Sequence, residues 1–149
     1  MAFSILNVKN IDNVNVAREE EAFTSLTTAL ATNGETTATF GACFEMSERD
    51  DKYMILLYNS DTDSQKVTVH ASNAMQGVND LEVTLASGKY TVLGIDSGRF
   101  KWISQNGGYC DKAKTIPHAI ATQGFTEKGK VFITAQDADV KVAVFKLPV

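Results

Sequence analysis

From residue 36 onward, short apolar segments alternate with polar clusters of Gly, Asn, Asp and Ser, and within many of them the alternation has a period of two. A strand with one face buried has that period, because successive side chains point to opposite faces. In Thr36–Met46, the residues Phe40, Ala42 and Phe44 alternate with Thr39, Gly41 and Cys43. Tyr53–Tyr58 is continuously apolar, which predicts a strand covered on both faces. In Lys66–Ala71, the residues Val67, Val69 and Ala71 point one way and Lys66, Thr68 and His70 the other. Leu81, Val83 and Leu85 alternate with polar residues, Ser87-Gly88 supplies a turn, and Tyr90–Ile95 follows closely enough to predict a tight hairpin. Arg99–Ser104, Lys130–Ala135 and Val140–Leu147 complete the set. In the last, Val140, Val142 and Val144 share a face while Phe145 and Leu147 take the other, a change of phase that predicts a bulge or a doubly covered end. About eight strands at this spacing, with no helices between them, predict an all-β sandwich or barrel.

Two segments break the rhythm. Residues 1–33 are read as an N-terminal extension or arm ahead of a β domain at 34–149. Within the extension, Asn15–Leu30 has helical spacing at Ala22, Leu26 and Ala29 or Leu30, with Glu19–Glu21 near its start and Asn33-Gly34 as a stop signal. Its threonines oppose that helix. The apolar leader Phe3, Ile5, Leu6 and Val8 has two places to go: a strand of its own domain, or a contact with a partner or a neighbouring copy. The second segment is the long 105–128 loop. Loops of that length in compact domains are commonly functional, and Tyr109, Lys112 and Lys114 make it a candidate partner surface.

The chain of 149 residues fits one domain with a core that needs no disulfide or metal. A formal charge of -4 and thinly spread lysines exclude a general nucleic-acid binder. Cys43 and Cys110 fit no metal spacing and are read as reduced thiols. The start has no charged, apolar and small-residue succession of a secretory signal, and Met54–Tyr58 is too short to span a membrane. A soluble chain kept without export is the expectation.

Candidate chemistry is sparse. No nucleophile elbow or phosphate-binding glycine loop occurs. His70 and His118 are the two histidines, and nothing in the spacing joins either to Cys43 and an acid. Asn59-x-Asp61-x-Asp63 has oxygen ligands at alternate positions, but Ser64 and His70 stand where a calcium loop needs Gly and Glu, so a solvated turn is expected. Glu45, Glu48, Asp50 and Asp51 are mixed with Arg49 and Lys52 and read as a charged loop. Trp102, with Phe100 and Tyr109, fits either a sugar-stacking platform or, preferably, the core. The expectation is therefore no enzyme and no catalytic, cofactor-binding or metal residues.

From Ala29 onward an ordered set of segments stands out. They are Ala29–Gly34, Asp51–Asn59, Val67–Val69, Asp80–Gly88, the Gly-x-x-x-Ser-x-Arg-Phe run Gly94–Phe100, Gly129–Ile133 and Val142–Pro148. In that order and spacing the chain resembles small proteins encoded in the structural-gene clusters of tailed bacteriophages. The resemblance implies an Ig-like antiparallel β-sandwich that acts as a capsid decoration protein, a structural component cementing the outside of the phage head. It further implies the major capsid protein as partner, copies of itself as a second partner (a trimer included), and the virion surface as its place after synthesis in the host cytoplasm. No nucleic acid, membrane or cofactor enters. A carbohydrate-binding adhesion module and a phage tail protein are the alternative readings. Residues 1–28 and the 105–128 loop lie beyond the shared pattern, so nothing is carried over to them.

Overall fold

A computed structural model describes residues 4–11, 24–25, 29–30, 39–74, 76–103, 128–137 and 139–148. The strands are β1 (Ser4–Ile5), β2 (Lys9–Asn10), β3 (Thr24–Ser25), β4 (Ala29–Leu30), β5 (Thr39–Glu45), β6 (Tyr53–Asn59), β7 (Gln65–Val69), β8 (Leu81–Leu85), β9 (Tyr90–Leu93), β10 (Lys130–Ala135) and β11 (Val140–Lys146). They form the expected β-sandwich. The body of the first sheet is β5-β10-β7-β8, extended at β5 by the short pairings of β1 and β4. The second sheet is β2-β11-β6-β9, and β3 also pairs β11. All the long strands pair antiparallel; the parallel pairings are β1 on β5 and β2 on β11.

The core lies between the sheets. Ala42 and Phe44 of β5, Val67 and Val69 of β7, Leu85 of β8, and Val131 and Ile133 of β10 meet Ile55 and Leu57 of β6 and Val140, Val142 and Val144 of β11. Complete burial of a side chain such as Ile55, Leu57 or Phe44 contributes about 1.5–3 kcal/mol each. The period of two therefore does in the structure what it promised in the sequence.

Several expectations change. Ser87-Gly88 does not close a hairpin: β8 pairs β7 in one sheet and β9 pairs β6 in the other, so this turn carries the chain across the sandwich. Gly88, at φ 66°, supplies a left-handed residue that favours glycine, and its N–H donates to the Asn59 carbonyl at 2.9 Å. Arg99–Ser104 is not a strand. Asp96 caps a single helical turn, α1 (Ser97–Phe100), by accepting from the Gly98 N–H at 2.7 Å, and the chain leaves it through irregular backbone to Ile103. Aromatic and apolar content predicted the burial of Phe100 and Trp102 but not the local path, because the aspartate cap overrides β propensity.

Within the predicted Asn15–Leu30 helix, Thr24–Ser25 and Ala29–Leu30 are strand pairings, consistent with the helix-opposing threonines; residues 12–23 lie outside the described residues. β11 keeps an unbroken register with β6 from Val140 to Lys146, so the phase change is no bulge: Phe145 simply sits on the outer face, opposite Met54. In β10, Val131 and Ile133 face the core while Phe132 and Thr134 lie buried on the other side of the sheet.

Candidate functional site

The leader joins both sheets. Ser4 and Ile5 pair in parallel with Ala42 and Cys43, and the Leu6 N–H donates to the Cys43 carbonyl at 2.8 Å. The chain then crosses so that Lys9 and Asn10 pair with Phe145 and Lys146. At the crossing Leu6 is buried in the core and Val8 packs against it, while Ile5 remains 59% exposed. Leu6 and Val8 thus belong to the packing of this domain, and among the described leader residues Ile5 presents apolar surface. Phe3, Tyr109, Lys112 and Lys114, together with Cys110 and His118, lie outside the described residues.

His70 is not an exposed polar residue. Its Nε2 lies 2.6 Å from the Thr134 hydroxyl and its Nδ1 3.4 Å from the Asp80 carboxylate, whose other oxygen accepts the Ala71 N–H at 2.7 Å. His70 keeps the face that alternation with Val67 and Val69 assigns to it, the side where Phe132 and Thr134 also lie, and is buried there, while its own N–H donates to the Phe132 carbonyl. Hydroxyl, imidazole and carboxylate stand in the order of a proton relay. Both His70 and Thr134 are buried, however, and neither lines the recesses at Ser47–Asp51, at Trp102 or beside Ile5. The arrangement ties β7, β10 and the segment leading into β8 together. Cys43 is fully buried, and that burial pushes its thiol up to about 11, so it stays protonated.

Trp102 is 2% exposed and meets Phe132 edge to face, with ring centroids 6.0 Å apart. It is a packing residue, and no sugar can stack on it. The Asn59–Asp63 turn is likewise local structure. Asn59 is fully buried; its amide donates to the carbonyls of Asp63 and Leu85, and its Oδ1 accepts the Asp61 N–H. Asp61 instead comes together with Asp137 and Asp139, their carboxylate oxygens within 4.8 Å of one another, and Asp63 takes no part. Those oxygens already cap turns: Asp61 accepts from Thr62 at 2.6 Å and Asp137 from Asp139 at 2.8 Å. The Gln65 amide, followed by the Thr62 N–H, holds Asp61 below the usual carboxylate range.

Glu48, Asp50 and Asp51 lie in a charged connection between β5 and β6, as expected, though Glu45 is the last residue of β5 and Asp50–Lys52 makes a 3-10 turn. Glu48 accepts from Lys146 at 2.7 Å and from Lys52, and these two contacts, the Lys146 one foremost, bring its pKa down to about 2. Arg49 pairs with Asp51, and Asp50 accepts the Ser97 N–H at 3.0 Å. A recess of about 680 Å³ lies between this loop, Ser97 and Lys101, and of its lining Glu48, Arg49, Asp50 and Asp51 are engaged in the contacts above.

The surface that sequence reasoning missed is the outer face of the second sheet. In β6, Tyr53, Ile55, Leu57 and Asn59 are buried, whereas Met54, Leu56 and Tyr58 are only half-buried. The apolar run is therefore covered fully on one face only. Its register places Leu56 beside Val92 and Ala143, Tyr58 beside Tyr90 and Lys141, and Met54 beside Phe145. Tyr58 and Tyr90 stack with ring centroids 4.5 Å apart; Tyr90 is 61% and Val92 56% exposed. Antiparallel sheets usually turn polar residues to water on such a face; here Lys141 is the polar residue of the described set, Ala143 is buried, and the apolar side chains make the face a candidate interaction surface. The signal in the sequence was the unbroken run itself, which reads the same whether its second face is covered or open.

No protein family, curated protein or solved structure matches this chain.

Proposed function

We propose that this chain is a structural virion protein, a non-enzymatic decoration protein that binds the outside of a tailed-phage head and stabilises it. The observation that carries the reading is a packed sandwich with a second apolar face: Met54, Leu56, Tyr58, Tyr90, Val92 and Phe145 on the outside of a sheet whose inner positions are already buried. Such a body needs only rigidity and adhesion. The core supplies the first, and the outer face with the exposed Ile5 supplies the second. Its partner is the major capsid protein, and its place is the capsid surface. A protein that binds only the assembled lattice stabilises that lattice by linkage. If one copy bridges two capsomers, its second contact is intramolecular and modest contacts suffice. The ordered segments from Ala29 to Pro148 support the same reading through their resemblance to phage structural proteins.

The test is occupancy. Heads stripped of this chain are mixed with purified wild type, Ile5→Lys or Phe145→Lys, and bound chain is counted after sedimentation. Wild type binding with a loss of at least tenfold for Phe145→Lys, at unchanged circular dichroism, supports the reading. Undiminished binding by both variants rejects this face, and absence of wild-type binding rejects decoration.

A further inference from the structure

We propose that the recess at Trp102 is a binding site for a small organic acid, an apolar body that carries one carboxylate. The recess has a volume of about 380 Å³ and lies where three segments meet: 45–47 at the end of β5, 101–103 after α1, and 128–129 before β10. Backbone bonds lace these walls together. The Met46 N–H donates to the Gly129 carbonyl at 2.8 Å, the Gly129 N–H to the Trp102 carbonyl at 2.7 Å, and the Trp102 N–H to the Lys130 carbonyl at 3.0 Å. The buried Asn73 side chain fixes Ile103, accepting its N–H at 2.8 Å and donating to its carbonyl at 3.1 Å. A recess of this size with walls fixed in advance suits a small molecule.

The ligand's chemistry follows from the lining. The indole N–H of Trp102 is fully buried and donates to no group among the described residues. A buried donor without an acceptor is a standing desolvation cost, and a ligand oxygen removes it. Lys101 and Lys128 bring two ammonium groups to the same recess, and neither forms an ion pair among the described residues; Glu45 is the one carboxylate in the lining. That balance favours an anion over a neutral acceptor. Met46 and Ile103 supply apolar wall, which an acid with an apolar body covers and an inorganic anion does not. The indole keeps its edge-to-face contact with Phe132, so the ligand meets its N–H and not its face. Because that N–H is covered, the acid reaches it as the lining adjusts, and the unbranched Met46 and the exposed Lys128 are the side chains able to yield. None of the lining belongs to β6, β9 or β11, and this inference does not rest on the decoration reading.

Trp102 is the single tryptophan of the chain, so one indole N–H resonance reports on this recess alone. The full chain, isotopically labelled for nuclear magnetic resonance, is titrated with phenylacetate, with hexanoate and with the neutral phenylacetamide. Both acids are expected to give a saturable downfield shift of the indole N–H at millimolar concentration, and the amide none. Lys101→Met combined with Lys128→Met is expected to weaken binding by about tenfold or more at unchanged circular dichroism, the scale of lost charge-assisted hydrogen bonds. Lys66→Met, off the recess, is expected to bind as wild type does. An indole resonance that neither acid moves overturns the proposal. So does equal binding of the amide, undiminished binding by the double lysine variant, or loss of binding in Lys66→Met.

Discussion

The side-chain amide of Asn59 donates to the carbonyl of Leu85 at 3.1 Å, fixing the end of β6 in one sheet to the end of β8 in the other. The same amide holds Asp63, and the Asn59 backbone bonds Gly88 and Lys89. One buried residue thus organises both the 60s turn and the crossing between sheets. Asn59→Ala leaves the buried Leu85 carbonyl and the part-buried Asp63 carbonyl without this donor and is expected to cost about 2–4 kcal/mol, at about 1–3 kcal/mol for the buried group and about 1 kcal/mol for the other. Asn59→Asp costs more, because it sets a buried carboxylate against two carbonyl oxygens. Urea unfolding midpoints check both; a shift within error for Asn59→Ala contradicts this role.

Glu48 makes stability depend on acid. Its folded pKa, brought down to about 2 by Lys146 and then Lys52, lies below the value of 4.5 for a free glutamate. The unfolded chain therefore takes up this proton first, and the contribution is full above about pH 4.5 and lost as pH falls toward 2. Glu48→Gln is expected to flatten the unfolding profile in that window and leave its shape near pH 7 unchanged. An identical acid limb in the variant counts against the Lys146–Glu48–Lys52 clip.

Cys43 is expected to resist alkylation. With its thiol pushed up to about 11, about one molecule in a thousand is thiolate at pH 8, and burial withholds even that fraction. Iodoacetamide followed by peptide mapping checks this: the Cys43 peptide stays unmodified in the native protein and reacts in denaturant. Rapid native labelling contradicts the described packing of β5.

Two glycines form a matched pair. A Cβ on Gly77 would stand 2.2 Å from the Ser72 carbonyl oxygen, so backbone has to move, whereas one on Gly94 meets nothing within 4 Å. Gly77→Ala is expected to destabilise by about 1–3 kcal/mol, as overpacking does, and Gly94→Ala to stay within about 0.5 kcal/mol of wild type. Thermal unfolding of both variants separates the effects; equal shifts contradict the close approach at Ser72.

The sandwich was legible because β6 and β7 bury one alternate set of residues, which a period of two reports directly, and because β5, β10 and β11 carry their core residues at the same spacing although part of their second face is buried as well. Partner choice was not legible. The pattern in Leu81–Leu85 and Tyr90–Leu93 is the same whether the strands pair with each other or with β7 and β6, and the crossing is held by contacts between segments distant in sequence, Asn59 with Gly88 and Lys89 and Ser87 with Asp61. Asp96 hid a helical turn among β-forming residues, since a cap is one side chain and weighs little in any window. The leader's apolar residues were visible, but their division was not: Leu6 enters the core and Ile5 stays out because the chain changes sheets between Ile5 and Lys9. The apolar outer face was half visible, since a continuous run signals two apolar faces and is silent on what meets the second.

The central claim is that this chain spends its second apolar face on a phage shell. Counting its copies by quantitative mass spectrometry in purified phage particles, separated into heads and tails, tests that claim most directly. Decoration predicts many copies per head, in fixed proportion to the major capsid protein, and none in tails. Absence from heads, or copies confined to tails, contradicts it.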